Sequence, residues 1–279
     1  MNELLYFVTI SLPRLASEGG LMDYIIHHVT DQNSWHPIPL SSIAVNFPSF
    51  KLGPVVFQNG LHLTMLFIAA FLTILLFGFL FKKKDDTAPK GLSNFLEMLV
   101  VFVKDEICVE HLGKVDGRRM APFFLTLFFF ILTLNLMGLV PVFSTATANI
   151  NVTGALALTT LACMVVYGIG RNGPINFLKI FIPSGVPLVI TPLIFLLEFA
   201  GLIIKPFALT LRLFANMLAG HIVIYAITGV VVGFGVTGLP LLSLTIFIYL
   251  LEILVAFLQA YIFTLLSAIF IGEMLHPHH

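Results

Sequence analysis

Uncharged apolar runs alternate with short polar or basic breaks along most of this 279-residue chain. Residues 61–81 (LHLTMLFIAAFLTILLFGFLF) form 21 consecutive uncharged positions, enough for one helical crossing of a bilayer at about 1.5 Å per residue. Lys82-Lys83-Lys84 end that run. A second run covers 120–140 and stops at Pro141; a third covers 152–170 and stops at Arg171-Asn172-Gly173-Pro174, a strong turn signal. The intervening residues 141–151 (PVFSTATANIN) read as a polar turn. From 186 to 272 the only charges are Glu198, Lys205, Arg212 and Glu252, with His221 as a further titratable residue. Gly233, Gly235 and the Gly238-Leu239-Pro240 turn divide this stretch into segments at about 187–232 and 240–272. Both exceed the roughly 20 residues of a perpendicular crossing, so each either contains a break or lies steeply inclined.

Residues 90–112 follow a different pattern. Phe95, Met98, Leu99, Phe102, Val103 and Ile107 recur at helical spacing, with Glu97, Lys104, Asp105, Glu106 and Glu110 interleaved. This predicts an amphipathic helix at the membrane surface. Residues 1–58, with Trp35, His36, Pro37, Pro39 and Pro48, read as an extramembrane segment with little regular structure. The pattern therefore predicts an all-α membrane protein: about five membrane-embedded helices plus one surface helix, with residues 1–58 set apart from a membrane domain over 59–279.

Composition sharpens this. The chain is 58% hydrophobic and 10% charged, against about 25% charged residues in soluble domains. Fourteen basic and 14 acidic residues cancel, so nothing points to a nucleic-acid partner. Cys108 and Cys163 lie in separate segments without metal-ligand spacing and read as unpaired and structural. Glu3 precedes the apolar stretch Leu4–Leu12 where a secretory signal would carry basic residues, so the N-terminus matches such a signal poorly. Ten of the 14 Lys and Arg residues fall in the 82–119 and 171–185 loops, against Arg14 and Lys51 on the other side. The positive-inside bias predicts an outside N-terminus, cytoplasmic basic loops and a cytoplasmic C-terminus.

The polar residues within apolar segments carry the candidate chemistry. An ionisable side chain there costs roughly 2.5–3.5 kcal/mol on insertion scales and normally faces a partner or a water-filled cavity. Glu198, Lys205 and Arg212 are spaced seven and seven apart. Seven residues advance a helix by about 700°, close to two turns, so the three share one stripe. Asn216 continues that stripe. Thr245, Tyr249, Glu252 and Gln259 form a second stripe on the last segment. His221 lies off the Arg212 face and meets Glu252 if the two segments pack antiparallel. Lys205 is equally readable as a snorkelling side chain, His221 as a packed histidine, and Arg212 as half of a salt bridge with Glu198 or Glu252. Arg212 stays protonated under essentially all conditions. A fixed cation in a low-dielectric site lowers the pKa of an approaching carboxylic acid, and polar neighbours with water form relays. That combination describes ion translocation.

The run from Lys205 to His221, with Leu209, Leu211-Arg212-Leu213-Phe214, Asn216 and Ala219-Gly220, resembles the signature of the a-subunit of F-type ATP synthases. Leu258-Gln259-Ala260-Tyr261-Ile262-Phe263 resembles that family's second signature. Leu134–Pro141 and Asn149–Thr153 resemble the end of a transmembrane helix and the turn after it. The likeness covers about residues 60–272, in order; residues 1–58 carry none. By position, the resemblance implies that Arg212 is the essential arginine facing the carboxylates of a rotating c-ring. Asn216 and Gln259 match polar residues near it, and Glu198 matches an acid of the cytoplasmic half-channel. His221 and Glu252 match the pair of the outer half-channel, with acid and imidazole exchanged as in some members. Asn149 stands where some members have Asp, and Gly138 where some have another acid. Asn149, Asn151, Thr245 and Tyr249 are candidate neutral linings of the outer half-channel.

The implied function is proton translocation in the membrane sector of an ATP synthase, coupled to ATP synthesis. Its expected setting is a bacterial inner membrane. Its expected partners are the c-ring, a b-subunit stator dimer and the remaining synthase subunits. No covalent chemistry, cofactor or metal is expected of this chain, and no phosphate-binding Gly-rich loop occurs in it. The resemblance also implies a nearly horizontal hairpin for the last two helices. A self-contained antiporter predicts two repeated halves with matching broken helices, which the sequence lacks. A purely structural subunit predicts that Arg212 is replaceable.

Overall fold

The computed structural model describes residues 34–35, 45–46, 49–52, 55–58, 60–80, 91–140, 143–181, 187, 190–234 and 239–275. Two short antiparallel pairs precede the helices. Strand β1 (Ser34–Trp35) pairs with β2 (Val45–Asn46), and β3 (Ser49–Leu52) with β4 (Val55–Gln58), in register Phe50 to Phe57. The sequence pattern predicts little regular structure there. The rest of the 1–58 segment, and the N-terminal stretch compared with a secretory signal, lie outside the described residues. So do the Lys82–Lys84 break and the 276–279 tail.

Five helices are long and apolar enough to cross a membrane. They are α1 (Leu61–Leu80), α3 (Lys114–Leu139), α4 (Ile150–Asn172), α6 (Thr191–Phe234) and α7 (Leu239–Leu275), with α2 (Leu92–Phe102) and α5 (Pro174–Lys179) between them. The architecture is that of an all-α membrane protein. Helix α3 begins at Lys114, six residues before the apolar run at 120. Hydrophobicity marks where a helix enters the hydrocarbon, not where its hydrogen bonds begin, so the Lys114–Arg119 turns are invisible to it.

The long segments resolve in favour of unbroken helices. Helix α6 has 44 residues and α7 has 37, about 66 and 56 Å at 1.5 Å per residue. A hydrocarbon layer of about 30 Å accommodates such lengths only with steep inclination. Pro206 lies inside α6 without ending it. Thr210 donates from its hydroxyl to the Pro206 carbonyl one turn back (3.0 Å), the bond that a threonine within a helix makes to its own backbone.

The chain divides into two compact units. The first comprises 1–72, 132–152 and 214–258; the second comprises 73–131, 153–213 and 259–279. In the second unit the core is aromatic and aliphatic, with Phe124, Phe128, Phe129, Ile131, Met164 and Phe263 fully buried. Its buried polar side chains are neutral: Thr73, Thr153, Thr160, Thr210, Gln259, Thr264 and Ser267. Thr160 and Ser267 hydrogen-bond at 3.2 Å, joining α4 to α7 where small residues let the helices approach. In the first unit the buried set includes His62, Asn135, Ser144, Thr145, Thr147, His221 and Glu252. Among the described residues, every buried imidazole and carboxylate belongs to it.

The amphipathic segment is helical but buries a different arc from the one the spacing predicts. Helix α2 continues through a π-helical stretch, Val103–Val109, into a last turn at Glu110–Leu112. Leu96, Leu99, Val103, Ile107, Cys108 and Leu112 are buried, while Phe95, Met98 and Phe102 are exposed. The apolar arc is wider than the protein covers, which leaves a lipid-compatible flank. Gly117 packs against the π-stretch: a Cβ there would lie 2.5 Å from the Cys108 carbonyl oxygen. Burial pushes the Cys108 thiol up to about 12, with Asp105 adding to the shift. At pH 8 only about one Cys108 in ten thousand is then thiolate. Maleimide at pH 8 is expected to leave Cys108 unmodified in the folded protein and to label it after denaturation, read by intact-mass spectrometry.

Candidate functional site

The polar groups of the first unit converge on the C-terminal end of α3. The last carbonyls of a helix have no partner within it. Here side chains supply the partners. Tyr249 of α7 donates its hydroxyl to the Leu139 carbonyl. The Gly138 carbonyl lies 2.9 Å from Nε2 of His221 and 3.4 Å from Oγ1 of Thr145, whose hydroxyl donates to it. One turn earlier Asn135 donates from Nδ2 to the Ala256 carbonyl of α7 (3.3 Å).

His221 is held at both ring nitrogens. Its Nδ1–H donates to the Met217 carbonyl one turn back in α6 (2.8 Å). Nε2 faces Thr145 Oγ1 at 2.7 Å as well as Gly138. A proton on Nε2 would meet both of these oxygens as acceptors.

Glu252 is buried against Gly220 of α6, close enough to His221 for the two to interact electrostatically. The carboxylate occupies the space where a side chain at 220 would begin. Gly220 is thus what lets α6 and α7 bring these two groups together. Thr245 bonds its own helix, at the Leu241 carbonyl (3.1 Å).

At the start of α4, Asn149 Oδ1 accepts from the Asn151 backbone N–H (2.9 Å). That fixes the amide, so Nδ2 faces Nδ1 of His62 at 2.9 Å and donates to it. Asn151 itself is exposed. Sequence reasoning did not single out His62. Its signal was an ionisable residue at the second position of an apolar helix.

In the second unit, Glu198 and Arg212 are exposed on α6 and Lys205 is half-buried. Lys205 pairs with Glu273 in the last turn of α7 and lies 5.1 Å from the Phe270 ring centre. It is therefore partnered within the chain; Glu273, just beyond the apolar stretch, is the residue sequence reasoning missed. No ion pair involves Arg212 among the described residues, so the salt bridges with Glu198 or Glu252 left open by spacing are not formed there. Gln259 is buried, and its Nε2 has no hydrogen-bond partner among the described residues. Asn216, in the first unit, is half-buried on α6. Among the described residues no group of three or more metal-ligating side chains occurs.

Five long apolar helices, a buried imidazole and carboxylate, and an arginine on an apolar helix define an all-α integral membrane protein with ionisable groups inside its apolar layer. Residues 63–272 match the model of the family described as ATP synthase A chain, and the chain belongs to that family. It is 43% identical over 264 residues to an ATP synthase subunit a of Chloroherpeton thalassium, covering 91% of this chain and 77% of that one. It is 40% identical over 263 residues to that of Brucella ovis, covering 90% and 98%. Against that of Anaeromyxobacter dehalogenans it is 44% identical over 236 residues, covering 82% of this chain and 61%, less than two thirds, of the relative.

The Gly220–Glu252 contact makes a stability prediction. A methyl at 220 would meet only the carboxyl end of Glu252, which must leave its buried place beside His221. Gly220→Ala is therefore expected to lower the melting temperature of the detergent-purified protein, at a cost below the roughly 1–3 kcal/mol of overpacking a rigid site. Gly170→Ala, with nothing within 4 Å of the added methyl, is the control expected to leave it unchanged.

Proposed function

We propose that this chain is the stationary, proton-translocating a-subunit in the membrane sector of a rotary ATP synthase. One observation carries the reading: Arg212 is exposed on α6 and makes no ion pair among the described residues. An arginine cannot shed its charge, and leaving that charge in hydrocarbon is costly. Its counter-charge is then sought on another protein. Three residues after each member of the Glu198–Lys205–Arg212 stripe stand Gly201, Ala208 and Ala215, so small side chains flank the cation. Such a face admits a closely approaching helix. Helix α6 is also the least covered of the five, with 17% of its apolar window buried against 61% for α3.

In this mechanism a proton enters from the outside, past Asn149 and Asn151, and reaches the His221–Glu252 pair. Tyr249 and Thr145 hold the carbonyls and ring that line this point. The proton neutralises a carboxylate on a rotating ring of proteolipids, which then turns into lipid. Near Glu198 the carboxyl group meets the cytoplasmic half-channel. Arg212 lowers its pKa and draws off the proton, and its fixed charge blocks a direct leak. Asn216 and Gln259 flank the arginine. Each proton contributes about 2.3 kcal/mol per 100 mV. This chain changes no covalent bond, and ATP is made by other subunits. Residues 1–58 lie on the extracytoplasmic side, and the chain resides in a bacterial inner membrane with a proteolipid ring and a b-subunit dimer as neighbours. The contact between His62 and Asn149 supports the topology, because α1 must begin on the side where α3 and α4 are joined.

Arg212→Ala is expected to abolish ATP-driven proton pumping in inverted membrane vesicles while the ring and stator subunits remain assembled. Normal pumping by the assembled variant would sink the proposal. Glu252→Gln is expected to lower passive proton conductance at least severalfold in vesicles stripped of the catalytic sector; conductance equal to the parent's counts against its role.

A further inference from the structure

Glu273 is a carboxylate to which the mechanism above gives no part. It stands in the last turn of α7, forms an ion pair with Lys205 of α6 and belongs to the same compact unit as Arg212. Exposed ion pairs usually contribute little, because two long side chains must be ordered to make them. Here the backbone supplies part of that order. A Cβ at Gly272 would lie 2.5 Å from the His111 carbonyl oxygen, so the last turn of α7 sits directly on the end of the α2 segment. From α4, Asn172 donates from Nδ2 to the Met274 carbonyl at 2.9 Å. Ile271, Met274 and Leu275 are buried. The residues before and after Glu273 are thus fixed by two other elements, which delivers its carboxylate to Lys205. Three residues earlier in α7, the Phe270 ring lies 5.1 Å from the same ammonium, a second attraction for the cation. Lys205 is held by a built arrangement rather than by a chance contact.

The place of Lys205 says why holding it matters. It lies on the Glu198–Arg212 stripe, seven residues from each, or about 10.5 Å along the helix axis on either side. On the reading above, a rotor carboxylate approaches that stripe and is drawn to Arg212. An unpaired ammonium on a long flexible stem beside it would be a second cation competing for the same carboxylate. It would also stand between Arg212 and Glu198, where a positive charge opposes a departing proton. We propose that Glu273 is a positioning residue for proton release: it neutralises Lys205 and holds it aside, so that Arg212 is the cation the rotor carboxylate meets. What the mechanism requires is the neutrality of the 205–273 pair; the ion pair is one way of achieving it. The inference rests on the function proposed above and adds to it a residue that lies beyond both polar stripes.

The test is ATP-driven proton pumping by the whole synthase in inverted vesicles, with the catalytic sector attached and the rate taken per assembled complex. Glu273→Gln removes the charge and keeps the shape. Its pumping is expected to fall about tenfold, the scale of the interaction between two unit charges one heptad apart at an effective dielectric constant of about 20. Adding Lys205→Gln to that variant is expected to restore most of the loss, although the ion pair is then gone altogether. A merely structural tie would give no such rescue. Lys205→Gln alone is expected to pump nearly as the parent does, since it leaves no competing cation. Parental pumping by assembled Glu273→Gln, or a double variant no better than it, overturns the proposal. If Glu273→Gln alone does not assemble, the other two variants decide: both are expected to assemble and pump, and failure of either overturns the proposal. Arg212→Ala in the same assay separates the two readings. If it pumps normally, the function itself is wrong; if it is inactive while Glu273→Gln pumps fully, only the role of Glu273 is wrong.

Discussion

Withdrawing a polar group from water costs free energy unless a partner replaces the water, and in an apolar layer that cost decides where each polar side chain ends up. The C-terminal carbonyls of α3 illustrate it. A helix buried at its end would leave them unsatisfied, and Tyr249, Thr145 and His221 from three other stretches of chain converge to bond them. The convergence is at once structural and chemical. The hydrogen bonds that make the helix end tolerable also hold the His221 ring beside the Thr145 hydroxyl.

The same constraint is met differently along the Glu198 stripe. Lys205 has its partner in Glu273, inside the chain. Arg212, one heptad later, has no such partner among the described residues. An isolated protein would find that expensive, whereas a subunit facing a moving carboxylate requires it. A permanent internal salt bridge would occupy the guanidinium and remove its reason to attract an acid. On the proposed reading, the energetic defect of the lone subunit is the functional property of the assembly.

Much of the fold was legible because bilayer crossing imposes a long uncharged run, and no soluble element reproduces it. What hydropathy left open, a break or an inclination in the last two segments, was settled by helices continuous through Pro206. It also missed the charged first turns of α3, which hydrogen bonding, not hydrophobicity, defines. The stripe of Glu198, Lys205 and Arg212 was legible because seven residues nearly complete two turns. The partners across space were not. Nothing local to His62 says that it meets Asn149, 87 positions away, and nothing local to Lys205 names Glu273. The buried arc of α2 was half legible, since periodicity finds an apolar face without saying which part protein covers and which part lipid does.

The Asn149 amide bears on how such subunits are to be re-engineered or grafted onto one another. Its oxygen is committed to the Asn151 backbone, so only a donor faces His62. Some members of the family carry aspartate at this position. An aspartate here would still accept from Asn151, but would present an acceptor to the ring, which would then have to turn its own N–H toward it. Transplanting the acid without adjusting its neighbour rewrites the neighbour's tautomer, so a chimaera that takes α1 and α4 from parents differing at this position is mismatched at this bond.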